Sequence, residues 1–175
     1  IGAAKSASQA IYLGIILSTI IAFLGFFFAK DILQLMEAEQ SVIDIGYEYT
    51  EIIFAGNISI MLIFLINAIF RGAGNAAIAM KALILSNGIN IILDPCLIFG
   101  YWIFPELGVK GAAIATTIGR SIGVIYQITA LFGKSSTLSF NKESLKFRFD
   151  MMLRLIKISL GGIGQFVIST FSIRT

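Results

Sequence analysis

Asn87, Asn90 and Asp94 stand three and four residues apart inside an apolar run, and Pro95 follows at once. That spacing stacks two amides and a carboxylate on one face of a helix. Hydrocarbon tolerates such groups only where protein or a water-filled cavity surrounds them, so the arrangement points to a route for ions or solutes. Pro95 cannot donate to the carbonyl of Ile91, and its ring crowds that carbonyl, which predicts a kink. A loosened carbonyl beside a carboxylate and two amides is an oxygen-rich cradle for Na⁺ or for a carried proton. The competing use of such amides is hydrogen bonding between helices, at roughly 1 kcal/mol or less each. Asn87 is assigned to that use. Asp94 is assigned to the ion site, because burying a carboxylate costs far more than burying an amide.

A second set of groups reaches the same depth. Pro105 to Lys110 reads as the outer turn of a hairpin, with Asp94 before it and Thr116 after it. A rise of about 1.5 Å per residue puts both in the outer half of a bilayer, within about two turns of each other. Thr116 either offers its hydroxyl to the same cavity or bonds back to its own helix. Arg120 lies one turn further along. It either pairs with Asp94, or snorkels, or meets a group elsewhere in the protein. Gly111, Ala115, Gly119 and Gly123 repeat small residues at helical spacing, a face made for close helix approach. Glu48 and Glu51, with Tyr47 and Tyr49 beside them, are expected in the first turns of a helix, where carboxylates suit the dipole. The run Arg71-Gly72-Ala73-Gly74-Asn75 lacks the lysine of a phosphate loop and reads as a tight cytoplasmic turn.

These groups need membrane-spanning helices to hold them. The 175 residues are 57% hydrophobic and 13% charged, with a mean hydropathy of +0.91; soluble domains carry about a quarter charged residues. Apolar segments near the ~20 residues of a spanning helix cover 7–29, 45–70, 82–104 and 111–132, and another starts near Met151. The fold class is therefore all-α, a multi-pass transmembrane bundle. The segment 7–29 has almost no polar group past Ser18 and Thr19 and reads as lipid-facing.

Lys5, Arg71, Lys81, Lys134, Lys142, Lys146 and Arg148 fall on one side of an alternating chain, which the positive-inside rule makes cytoplasmic. Tyr101 and Trp102 then lie at the outer interface. The net charge of +3 is spread between apolar spans, so it signals no nucleic-acid partner. The stretch 134–150 mixes basic residues with Leu145, Phe147 and Phe149. It is either a plain basic connector or a segment lying on an anionic leaflet. There is no histidine, and Cys96 is the only cysteine, which excludes an internal disulfide and a multi-cysteine metal site. No nucleophile and base are placed together, so an enzyme is not expected. The chain opens at Ile1 and stops inside an apolar segment, which reads as part of a longer polypeptide.

The residues resemble the multidrug and toxic compound extrusion (MATE) family. The resemblance is carried by Arg71-Gly72-Ala73-Gly74-Asn75, by Asn90-Ile91-Ile92-Leu93-Asp94-Pro95, and by Leu107-Gly108-Val109-Lys110-Gly111-Ala112-Ala113-Ile114-Ala115-Thr116. It runs over nearly the whole chain. It implies that residues 1–133 hold the third to sixth of twelve helices in an amino-terminal lobe. Residues 134–150 would join the lobes, and 151–175 would open the second lobe as the seventh helix. It further implies an antiporter of the inner membrane, driven by H⁺ or Na⁺ and needing no other cofactor. Two lobes would rock to export cationic or amphiphilic compounds.

Tyr49, Asn90, Asp94 and Thr116 match the family's amino-terminal ion site, whose further aspartate sits on a first helix absent from this chain. Na⁺ would be held by Asp94, Asn90 and Thr116. The family often has a proline where Gly161 or Gly162 stands, and some members a nearby glutamate; here Gln165, Ser169 and Thr170 occupy that helix. Two other functions fit the architecture. One is a lipid-linked oligosaccharide flippase, which tends to line its cavity with many basic residues where this chain offers Arg120. The other is a non-transporting scaffold subunit, which has no use for a buried Asp94.

Overall fold

The computed structural model describes residues 2–133 and 144–172, with side chains through 161. Seven helices follow in order among the described residues: α1 (Gly2–Phe27), α2 (Ala29–Leu35), α3 (Gln40–Ala55), α4 (Asn57–Gly72), α5 (Ala76–Phe99), α6 (Gly108–Phe132) and α7 (Phe149–Ser172). Among the described residues there is no strand, so the all-α expectation holds. Helices α1 and α5 among the described residues are each long and apolar enough to cross a membrane, and α3 with α4, taken as one bent unit, is so too. α6 has the length of a span at 25 residues but is diluted by Lys110, Arg120 and its hydroxyl residues. The chain is part of a multi-pass membrane protein.

Three boundaries differ from expectation. The segment expected as one helix over 45–70 is two helices that start at Gln40 and meet at Gly56 with a 48° bend. Gly56 has an ordinary φ of −78°, so its value is space. A Cβ there would sit 2.6 Å from the Thr117 hydroxyl oxygen. Asn57 then donates from Nδ2 to the Ser18 carbonyl at 3.4 Å, tying the bend to α1.

The helix expected over 82–104 instead spans 76–99. Asn75 caps its start by accepting from the Ile78 N–H. Gly100 ends it at φ +69°, where a Cβ would meet the Glu106 backbone at 2.8 Å. The kink expected at Pro95 does not interrupt the helix, which continues through Pro95 to Phe99. So close to the end of the helix, the missing N–H removes one bond, to Ile91, and little helix remains to be deflected.

Glu48 and Glu51 lie deep inside α3, whose first turn has no acidic residue, so the dipole does not account for them. Glu48 instead pairs with Lys110 Nζ of α6 at 3.2 Å and accepts from the Tyr47 hydroxyl at 3.3 Å. Lys30 lies 4.2 Å above the Tyr47 ring. The tight turn at Arg71–Asn75 is present, with Gly74 at φ +80°.

Packing centres on α6, which meets α3, α4 and α5. Leu62, Ile63, Ile66 and Phe70 of α4 bury against Ala79, Val124 and Leu131. The small-residue face of α6 behaves as expected: Gly111, Ala115, Gly119 and Gly123 are all buried. A Cβ on Gly119 would lie 2.7 Å from the Ser86 carbonyl oxygen of α5, and one on Gly111 would run into the Leu97 carbonyl. Gly119→Val is therefore expected to lower the stability of the complete protein by about 1–3 kcal/mol, because the obstruction is backbone and cannot rotate away. Thermal unfolding of detergent-purified protein reads this, and an unchanged midpoint contradicts the backbone-to-backbone contact.

On α1, Ser18 and Thr19 bond back to the Ile15 carbonyl. Phe23, Leu24 and Phe27 are exposed, as lipid-facing residues are in a bilayer.

Candidate functional site

The hairpin of α5 and α6 brings Asn90, Asp94 and Thr116 together. Asn90 is the junction: its Nδ2 donates to Asp94 Oδ1 at 3.1 Å within α5. The same nitrogen donates to Thr116 Oγ1 of α6 at 3.3 Å. The close approach at Gly119 makes this cross-helix bond reachable, because it sets Ser86 and Asn90 of α5 against the backbone of α6. Asp94 lies five positions before the end of α5 and Thr116 eight after the start of α6. These offsets put them roughly 8 and 12 Å from the same end of the hairpin. All three side chains are half-buried, a setting in which a carboxylate keeps access to a mobile ion.

The donor set is made of hard oxygens: the carboxylate of Asp94, the amide oxygen of Asn90 and the hydroxyl of Thr116. This suits a small monovalent cation or a proton. Among the described residues no group of three or more His, Cys, Asp or Glu could hold a metal ion.

Thr116 does not bond back to its own helix; its neighbour Thr117 does, to the Ala113 carbonyl at 2.9 Å. Asn87, on the same face of α5, is exposed and has no part in the Asn90 bonds. Tyr49 is on α3, 37% exposed, and takes no part in the hydrogen bonds that join the trio.

Arg120 resolves against Asp94. Its guanidinium lies 5.3 Å above the Phe64 ring of α4, and among the described residues the ion pair present is Lys110 with Glu48. A cation over an aromatic face is stabilised without a carboxylate partner, so Phe64 and not Asp94 accounts for Arg120. Cys96 is half-buried and free.

Sequence reasoning did not anticipate a second polar junction. Gln127 of α6 donates to Asn67 Oδ1 at 2.6 Å and to the Ile63 carbonyl at 3.2 Å, fully buried, with its own oxygen unpaired. Neighbouring hydroxyls join α4 to α6 through Ser59 and Ser121 at 2.8 Å. The available signal was Gln127 in an apolar stretch of α6, with Ser59 and Asn67 as polar residues in the otherwise apolar α4. The side chains of Gln165, Ser169 and Thr170 lie outside the described residues, as do Lys134 and Lys142.

The polar junction is thus embedded in a helical hairpin inside a multi-pass membrane bundle. The MatE family model matches residues 2–96, more than half of the chain, and the chain belongs to that family. It is 34% identical over 153 residues to the multidrug export protein MepA of Staphylococcus haemolyticus, covering 87% of this chain and 33% of that protein. It is 32% identical over 147 residues to the probable multidrug resistance protein YoeA of Bacillus subtilis, covering 83% of this chain and 32% of that one. The chain thus spans about a third of the length of these relatives.

Among solved structures, an inward-facing multidrug resistance MATE family transporter superposes with a TM-score of 0.75. It is 22% identical and is covered over 90% of this chain and 41% of its own. An outward-facing one gives 0.74 at 26% identity, over 85% of this chain and 32% of its own.

Proposed function

We propose that this chain forms most of the amino-terminal lobe of a secondary antiporter of the cell's inner membrane. The complete protein exports cationic or amphiphilic compounds in exchange for H⁺ or Na⁺. The carrying observation is the single amide of Asn90, shared between a carboxylate on α5 and a hydroxyl on α6. The relatives' names as multidrug export proteins support the substrate class. Near-equal superposition on inward- and outward-facing transporters supports a lobe that moves as a body.

The coupling follows from competition for that amide. With the ion absent, Asn90 Nδ2 steadies one oxygen of Asp94 while its second oxygen takes no protein hydrogen bond among the described residues. A Na⁺ or H⁺ that binds Asp94 takes over the charge that Asn90 was helping to stabilise. Asn90 then bonds Thr116 more strongly, which shifts the packing of α5 against α6. An ion drives a cycle only if it binds one such arrangement better than the other. A cationic solute in the cavity is held best while Asp94 is ionised and is released when the ion neutralises it.

The test is export by the complete protein in proteoliposomes, with the Na⁺ and proton gradients collapsed separately. Collapse of one of them stops export on this reading. Export that continues with both collapsed overturns it.

A further inference from the structure

Residues 144–155 are held against α1 by one buried side-chain amide. Gln9 is 0% exposed. Its Nε2 donates to the Lys146 carbonyl at 2.8 Å, and its Oε1 accepts from the Arg148 backbone N–H at 2.9 Å. One side chain therefore satisfies the carbonyl before and the amide after Phe147, much as a neighbouring strand does. One turn further along α1, the Tyr12 hydroxyl donates to the Leu145 carbonyl at 2.9 Å, and its ring lies 6.2 Å from that of Phe147. Ser6 reaches the Met151 sulfur at 3.9 Å, and Met152 is 5% exposed. Leu155 faces Ala3, Ala7 and Ile69 across a cavity of about 300 Å³.

Such a contact resists sliding. Pulling the segment away leaves the buried amide of Gln9 without either of its partners, which costs more than parting two apolar surfaces of similar size. A plain tether between lobes has no need of a buried clamp.

We infer that Gln9 is a positioning residue that fuses residues 144–155, including the opening turns of α7, to the body formed by α1 to α6. Relative motion of the two lobes is then taken up inside α7 beyond Leu155, and not in the connector. The inference rests on reading α7 as the start of the second lobe. Gly161 is the first glycine past Leu155, and a glycine inside a helix lowers the cost of bending it there.

Two measurements on the complete transporter in nanodiscs test this without needing export. Hydrogen exchange at the Arg148 amide is expected to quicken roughly tenfold in Gln9→Leu. Gln9→Glu, which keeps the acceptor for Arg148 but loses the donor for Lys146, should give an intermediate rate. Equal exchange in all three proteins removes the clamp. Spin labels at Ala3 and Leu153, both exposed, should keep one distance under conditions that favour the inward- and outward-open states, while a pair at Ala3 and Ser172 changes. A first distance that changes as much as the second moves the hinge into the connector and overturns the inference. Failure of the export assay alone counts against the transport reading and leaves both results standing.

Discussion

Asp94→Asn in the complete protein is expected to lower gradient-driven export by about a hundredfold, within the range of about 1–3 kcal/mol typical of coupling free energies. The substitution is nearly isosteric. An asparagine at this position still offers an oxygen to Asn90 Nδ2, which now bonds Asp94 at 3.1 Å, so the α5–α6 hairpin keeps its geometry. What disappears is the charge, and with it the reason for a cation to prefer one arrangement of the hairpin. Expression and thermal stability should therefore match the parent while counterflow in proteoliposomes collapses. Asp94→Glu restores the charge on a longer stem and should recover part of the rate. The half-buried setting of Asp94 makes the size of the effect plausible: in water the same charge would be screened, whereas here protein supplies most of its surroundings. Unimpaired export by Asp94→Asn would locate the coupling elsewhere, and total indifference in every transport assay would favour a scaffold subunit.

The parts of this molecule that were readable in advance are those decided by short-range spacing. The small residues of α6 announced a close contact, and Gly111, Gly119 and Gly123 make it. Asn90 and Asp94, four apart, had to share a helix face, and they bond. The break at Gly56 was not readable, because nothing local forces it: its φ is ordinary, and the requirement comes from Thr117 on another helix.

The same holds for Glu48. Its distance from a helix start looks short only because the first five residues of α3, Gln40 to Asp44, lie outside the helix expected over 45–70, and its true partner, Lys110, lies far along the chain. Arg120 stays open between Asp94, snorkelling and a group elsewhere in the protein, because a sequence lists charges but not the aromatic face beside them, here Phe64. The clamp at Gln9 went unseen for a related reason. A lone glutamine in an apolar stretch gives no hint that it will bind backbone more than a hundred residues away.

Asn90→Leu and Thr116→Val separate a shared amide from two independent ion ligands. If Asn90 is the junction, its replacement by leucine frees Asp94 Oδ1 and unties α5 from α6 in one step. The ion concentration for half-maximal export should then fall about tenfold, or ~1.4 kcal/mol, because the ion no longer has to replace a hydrogen bond to the charged Asp94. Thr116→Val removes only the neutral bond at 3.3 Å, so a rise of about threefold, or ~0.65 kcal/mol, is expected. The double variant is the decisive one. Because the bond from Thr116 to Asn90 is already gone in Asn90→Leu, adding Thr116→Val should cost almost nothing more, a clear departure from additivity between contacting residues. Additive effects, or a rise in that concentration for Asn90→Leu as well as for Thr116→Val, would mean that both side chains meet the ion directly and that Asn90 does not mediate between the helices.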